Sequence, residues 1–398
     1  MKNLGTLYRF EWKKLWGRRS ARVLSLLLIA AVLFLNLSPL VGQTPVYYVD
    51  EDGTLAAETV SKLTAARMER AYAMDYSGQP LDDDLIDELQ AFIAQYGYDC
   101  LNMYWIFYSI CQTDLNPWSE NTTEAAIQET MYEEWKGYKD GLSLTEEELS
   151  YWEENEAKIS FPLTIAYTRG YKNLLAEAYY LNLLLLCYII FILSESFSLN
   201  RRLNTQIWFQ SSKFGHGPTI AARTLAGVSY SLVSCLTVYG LSALIQFGVY
   251  GTDGWNAPIQ QIWASLLGSN LPLCAGQAVL VICALSVLVV TAVAAVVMLL
   301  SEMTQSGVTA LAASYGVLIV TALFNVELFV INRVLSQIWN YFPIQRISYE
   351  VFYDERLVQL AGRTLRGLPF TVLLYGSILA LALPLCAGHA KQTMRERR

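Results

Sequence analysis

Hydrophobic positions along this chain gather into long uncharged blocks instead of alternating with polar ones. A helix crossing ~30 Å of hydrocarbon at ~1.5 Å per residue needs roughly 20 mostly apolar residues. Val23–Val41, Thr224–Tyr250, Leu271–Leu300, Met303–Val326 and Gly367–Gly388 meet that length. Ala178–Ser194 is a sixth, slightly short block, bounded by Glu177 and Glu195 and opened by the interfacial aromatics Tyr179 and Tyr180. Pro272 and Gly276 set the true start of the Leu271–Leu300 helix about one turn in. Lipid cannot satisfy backbone polar groups, so each block is read as a helix. The apolar run Cys100–Cys111 is too short to cross and reads as a buried core helix.

Basic residues decide the orientation, because Lys and Arg near span ends favour the cytoplasm. Lys2, Arg9, Lys13, Lys14, Arg18, Arg19 and Arg22 precede the first block against the single acid Glu11. Arg201, Arg202, Lys213 and Arg223 fall between the second and third blocks, and Lys391, Arg395, Arg397 and Arg398 follow the last. Six crossings put all three groups on the same side; seven do not. The expectation is an all-α membrane protein with six transmembrane helices, both termini cytoplasmic, and a mostly α extracytoplasmic domain. The spans are 23–41, 178–195, 224–250, 271–300, 307–327 and 367–388. Cytoplasmic parts are the amphipathic helix 1–22, the loop 196–223, the inner loop 301–306 and the tail 389–398. Outer parts are the acidic domain 42–177, the short loop 251–270 and the segment 328–366. A cleaved signal peptide is the other reading of the first block, but its apolar run is long and no small-residue cleavage pattern lies near Pro39–Gln43.

Composition sharpens this division. The 398 residues are 54% hydrophobic and only 16% charged, with a net charge of −7. Residues 43–173 hold 25 Asp or Glu against 8 Lys or Arg, so the average hides two different regions. That acidity either draws cationic ligands or simply solvates a surface. Within the interval, Val46–Val49 leading into Asp50-Glu51-Asp52-Gly53 reads as a strand entering a turn. Leu85, Ile86, Leu89, Phe92 and Ile93 form one helical face behind Asp82–Asp84, and Thr145-x-x-Glu148 is a capping box. Cys100 and Cys111 read as free thiols, being three turns apart if they share a helix. Asn121-Thr122-Thr123 fits both a glycosylation acceptor and a helix cap. Leu4, Leu7, Tyr8, Trp12, Leu15 and Trp16 recur at helical spacing, the pattern of a helix lying in the membrane surface.

Catalytic motifs are missing throughout. No Gly precedes Lys, so there is no Walker A loop, and only His216 and His389 exist. Cysteines form no C-x-x-C pair, and no Gly-x-Ser-x-Gly elbow occurs. The chain is therefore read as no enzyme, binding no cofactor, metal or nucleic acid of its own. Glu177, Glu195, Glu302 and Glu327 stand at the edges of blocks whose interiors are charge-free, which weakens a proton-coupled mechanism.

The stretch between the second and third blocks is more specific. Glu195 ends a span; Leu203 to Phe209 carry the apolar cluster Ile207, Trp208 and Phe209; then come Ser211, Ser212, Lys213 and Gly215, with Arg223 before the next span. Here the sequence resembles the permease subunits of type-2 ABC exporters, which show an acid, a short amphipathic helix, a small-polar pair, a glycine and a basic residue in this order. His216 and Pro218 depart from that pattern. Ile165-Ala166-Tyr167-Thr168-Arg169-Gly170-Tyr171 also looks like the re-entry segment of permeases from Firmicutes-type bacteria. The resemblance implies a multi-pass bacterial cell-membrane protein that pairs with a second permease copy and with a separate ATPase binding ATP and Mg. Residues 203–213 would dock on that ATPase, and Leu328–Phe342, with Trp339, Tyr341 and Pro343, would form short helices dipping into the outer leaflet. A secondary transporter, and a membrane-anchored sensor or assembly protein acting through its outer domain, are the competing readings.

Overall fold

A computed structural model of the chain describes residues 4–97, 100–102, 105–106, 123–142, 144–199, 217–262, 269–324, 333–353, 357–360 and 363–396. Two helices open it. α1 (Leu4–Gly17) and α2 (Arg19–Leu37) are separated by Arg18 alone, whose extended backbone turns the chain. Leu15 of α1 is buried and Tyr8 and Trp12 pack against the main core. The stripe expected to face lipid headgroups therefore has protein over much of it.

The acidic interval folds as expected from its pattern. β1 (Gln43–Val49) pairs antiparallel with β2 (Leu55–Ser61), and Asp50 Oδ1 closes the turn by accepting from Thr54 N at 2.8 Å. α3 (Lys62–Ala73) and α4 (Asp83–Tyr96) follow, capped by Ser61 and Asp82. Leu85, Ile86, Leu89 and Ile93 are buried against Trp105, Ile127, Met131 and Trp135, the last three from α5 (Glu124–Leu142). α6 (Glu146–Glu156) carries the Thr145/Glu148 capping box. Cys100 is buried as a free thiol and bridges Tyr47 in the strand direction instead of sitting within a long helix; Cys111 and Asn121 lie outside the described residues.

The apolar blocks build the remaining bundle: α7 (Arg169–Ser194), α8 (Gly217–Tyr250), α9 (Ala275–Thr304), α10 (Gly307–Leu323) and α12 (Gly367–Glu396), with α11 (Arg333–Asn340) between the last two. Five described helices are long and apolar enough to cross a membrane: the first through Arg19–Leu40, then α7, α8, α9 and the Gly367–Ala390 part of α12. Within Met303–Val326, the other expected block, Met303 and Thr304 end α9 and Gly307–Leu323 form α10, whose 17 residues are fewer than the roughly 20 of a straight crossing. Outward faces are apolar, as Leu26, Phe34, Leu244 and Leu323 illustrate, the kind of surface that marks contact with membrane or with protein. The architecture is mostly helical and compatible with a multi-pass membrane protein.

Helix ends differ from the hydropathy limits wherever a charge has a partner. α7 starts at Arg169, so Glu177 belongs to its third turn and not to the preceding loop. α8 starts at Gly217, so Arg223 is helical too. An apolar-run rule stops at a charge; the helix continues because ion pairs and hydrogen bonds compensate it. α2, α8 and α10 begin, and α7, α9 and α12 end, at the end of the bundle where α1 sits. Arg18 meets Glu195 there, Arg223 meets Glu11 and Glu302 meets His389.

Polar side chains join the helices internally. Ser25 of α2 bonds Tyr188 of α7 at 2.6 Å, and Tyr188 bonds Tyr230 of α8. Asn182 of α7 donates to Tyr239 OH at 2.7 Å and to the Ile347 carbonyl at 2.6 Å. Asn182 lies ~20 Å along α7 from Arg169 at 1.5 Å per residue, so the chain around Ile347 enters deep into the bundle. Gln345 donates to the Thr321 carbonyl of α10 at 2.8 Å, fixing the same segment from another side.

Candidate functional site

A charged layer lies at the α1 end of the bundle. Its centre is Glu11. On the helical wheel of α1 this acid lies between Leu7 and Leu15, on the apolar stripe, so burying the stripe buries the carboxylate. Arg223 answers it from the second turn of α8: Nη2 reaches Oε1 at 3.2 Å and Nε reaches Oε2 at 3.3 Å, a two-pronged contact. Both side chains are almost fully buried. The Arg223 guanidinium also stands 5.1 Å from the centre of the Phe197 ring. Trp12 and Trp16 meet the Tyr230 ring edge-on at 5.6 and 6.2 Å, closing the opposite flank.

A second, more exposed pair adjoins it. Arg18 Nη1 lies 3.7 Å from Glu195 Oε2 and 3.4 Å from the Ile192 carbonyl. Glu195 caps the end of α7, and Gly307, the first residue of α10, runs against it; a Cβ there would fall 2.9 Å from Glu195 Cγ. Phe197 N is held by Ser301 Oγ of α9 at 3.4 Å. Glu302, buried in the last turn of α9, lies 3.6 Å from His389 Nδ1 of α12, an ion pair when the imidazole is protonated. Burial and the nearby Arg223 pull the Lys14 ammonium down to about 8, with Glu11 opposing and Arg18 adding to the shift.

No family model, curated protein or solved structure matches this chain. What the layer does therefore has to be read from its geometry. The void between Glu11, Lys14, Arg18, Ser196 and Arg223 measures about 10 Å³, at the limit for a single water. The layer is thus a packed clamp with no room for a small molecule. No group of three or more metal-ligating side chains occurs among the described residues.

Of the residues singled out in the sequence, the structure brings Glu195 and Arg223 into one layer, through Arg18 and Glu11. Ile207, Trp208, Phe209, Ser211, Ser212, Lys213 and Gly215 lie outside the described residues, as does His216. The Ile165–Tyr171 segment is a junction: Ala166 N donates to Gln261 Oε1 at 3.1 Å, and Tyr167 OH donates to Glu69 at 3.2 Å. Burial pushes the Glu69 carboxyl up, against the pull of Arg169 at 3.6 Å. Sequence reasoning missed Glu11 as a partner of Arg223. Its signal was present, since an acid on the apolar stripe of a basic helix requires a buried cation.

A second polar track enters from the far end. Asn173 donates to Gln246 at 2.9 Å; Gln246 donates to Glu177 Oε1 at 3.2 Å and to Asn36 at 3.1 Å; Asn36 donates to Ser242 at 3.0 Å. Glu177 Oε2 is buried and has no hydrogen-bond partner among the described residues.

Proposed function

We propose that this chain is the permease subunit of an ATP-driven ABC exporter in a bacterial cell membrane, coupled to a separate ATPase through residues 196–223. The observation that supports this most is the double anchoring of that segment. Its leading end is tied to Arg18 through Glu195 and its trailing end to Glu11 through Arg223, so both roots converge on α1. A partner that displaces the segment would then move α1, α2, α7 and α8 together. The basic residues concentrated at this end support a cytoplasmic side for it, and α10 would serve as the fifth of six crossings in this reading. A second permease copy would complete the path, and the partner ATPase would hold ATP and Mg; membrane lipid surrounds the pair and no nucleic acid is involved.

Purification of the full chain with the products of its neighbouring reading frames tests the reading. A co-eluting P-loop ATPase, lost on Trp208→Ala/Phe209→Ala while insertion is unchanged, is the expected result. Association that survives both substitutions removes the docking site. A cysteine at position 208 that reacts with an impermeant reagent on intact cells removes the sidedness.

Glu177 supports a second reading, a secondary transporter. An ionisable group within a span, with one oxygen unsatisfied, is a feature of proton and ion paths. Vesicle uptake driven by a pH gradient without nucleotide, and abolished by Glu177→Gln, would favour it. Uptake that needs ATP and tolerates Glu177→Gln would favour the exporter.

A further inference from the structure

A cavity of about 770 Å³ lies among α7, α9, α10, α11 and α12. Its floor is the buried side chains Leu186, Ile190 and Val297, and its roof is Tyr341, Phe342 and Phe370. α10 packs chiefly on α9 and α7, whereas α12 packs chiefly on α9 and α8, so these two helices diverge like a fork. Ala313 and Val317 of α10, both exposed, form one rim. Two polar groups along the walls are engaged, Thr321 Oγ1 with the Val317 carbonyl at 2.8 Å and Tyr375 OH with the Tyr341 carbonyl at 2.7 Å, whereas Ser314 Oγ has no hydrogen-bond partner among the described residues.

We propose that this cleft holds one acyl chain of a membrane lipid. The inference needs only that the apolar helices lie in a bilayer and is independent of the ATPase reading. The cleft is open along one side and its walls are almost wholly apolar, so water gains few hydrogen bonds there and hydrocarbon is the better-matched filling. From Phe370 to Ile378 the cleft follows α12 for ~12 Å at 1.5 Å per residue, close to the ~15 Å of one hydrocarbon leaflet. Its volume is within the ~300–1,000 Å³ range of ligand pockets, too small for a folded peptide and suited to a single tail. The mouth between α10 and α12 faces the surface that lipid already covers, so a tail enters sideways without leaving hydrocarbon.

The full chain, reconstituted in phosphatidylcholine vesicles carrying a mid-chain diazirine, tests this by photolabelling. Adducts on Val293, Val296 and Leu300 are expected, because these half-buried side chains present accessible surface to the cleft. Adducts confined to outward residues such as Val308, Ile319 and Leu323 would overturn the proposal. Native mass spectrometry after detergent exchange should find one retained phospholipid per chain, reduced at least fivefold in Ala313→Phe/Val317→Phe. A native chain that retains none, or retains a lipophilic cargo in its place, refutes the assignment; so does a filled variant that keeps its lipid. Photolabelling needs no variant, so the test stands even if the filled chain does not fold.

Discussion

Glu11 and Arg223 show how much one buried pair can carry. Removing one partner from a buried ion pair leaves a charge without compensation, at a cost of about 3–5 kcal/mol, whereas replacing both with apolar residues is often neutral. Glu11→Ala and Arg223→Ala should each lower unfolding stability in detergent by about 3 kcal/mol or more, and Glu11→Leu/Arg223→Leu should recover most of it. Arg18→Ala should cost under about 1 kcal/mol, since its pair with Glu195 is partly solvated. Lys14 gives a pH signature. Its folded pKa of about 8 lies below the unfolded value, so the unfolded chain binds more protons between about 8 and 10.5. Stability relative to Lys14→Met should accordingly rise with pH across that window and be flat below it. Dimethyl-lysine NMR should resolve an ammonium signal titrating near 8 that is lost in Lys14→Met.

At the level of elements, local chemistry accounts for the acidic domain more directly than for the bundle. Thr145→Ala removes a side-chain acceptor from the first turn of α6 and should cost about 1 kcal/mol, read as faster hydrogen exchange in that turn. Glu148 does more than complete the box: its Oε1 accepts from Leu357 N at 3.2 Å, so Glu148→Ala should also loosen residues 357–360. Gly276 marks another junction, where a Cβ would fall 2.3 Å from the Trp255 ring; Gly276→Ala should destabilise the start of α9 strongly. The capping box, the α4 face and the Asp50 turn were legible in the sequence because each is settled within a few residues. The start of α7 was not, because Arg169 and Glu177 are compensated by Glu69 and Gln246, far away along the chain. Glu195 and Arg223 were legible as candidates, but their shared attachment to α1 depends on tertiary contacts that spacing cannot express.

Across the whole molecule, two polar regions bracket an apolar middle. The acidic domain is seated on the end of α8 through Arg70 and Asp253 at 2.8 Å and through Tyr250, which belongs to its core. Arg70→Ala should leave that domain folded yet increase protease cleavage between residues 250 and 258, since the pair fixes the loop after Gly251. The opposite end is closed by the α1 clamp, and the chain from Tyr341 to Tyr353 plugs the bundle between them.

That clamp makes the amino terminus a poor handle. Arg223 is 212 positions downstream of Glu11, yet α1 covers it and shields Tyr230. Trimming them, or hanging a bulky fusion upstream, would register as a lesion at the root of α8, whereas a tag beyond Glu396 would leave that joint alone.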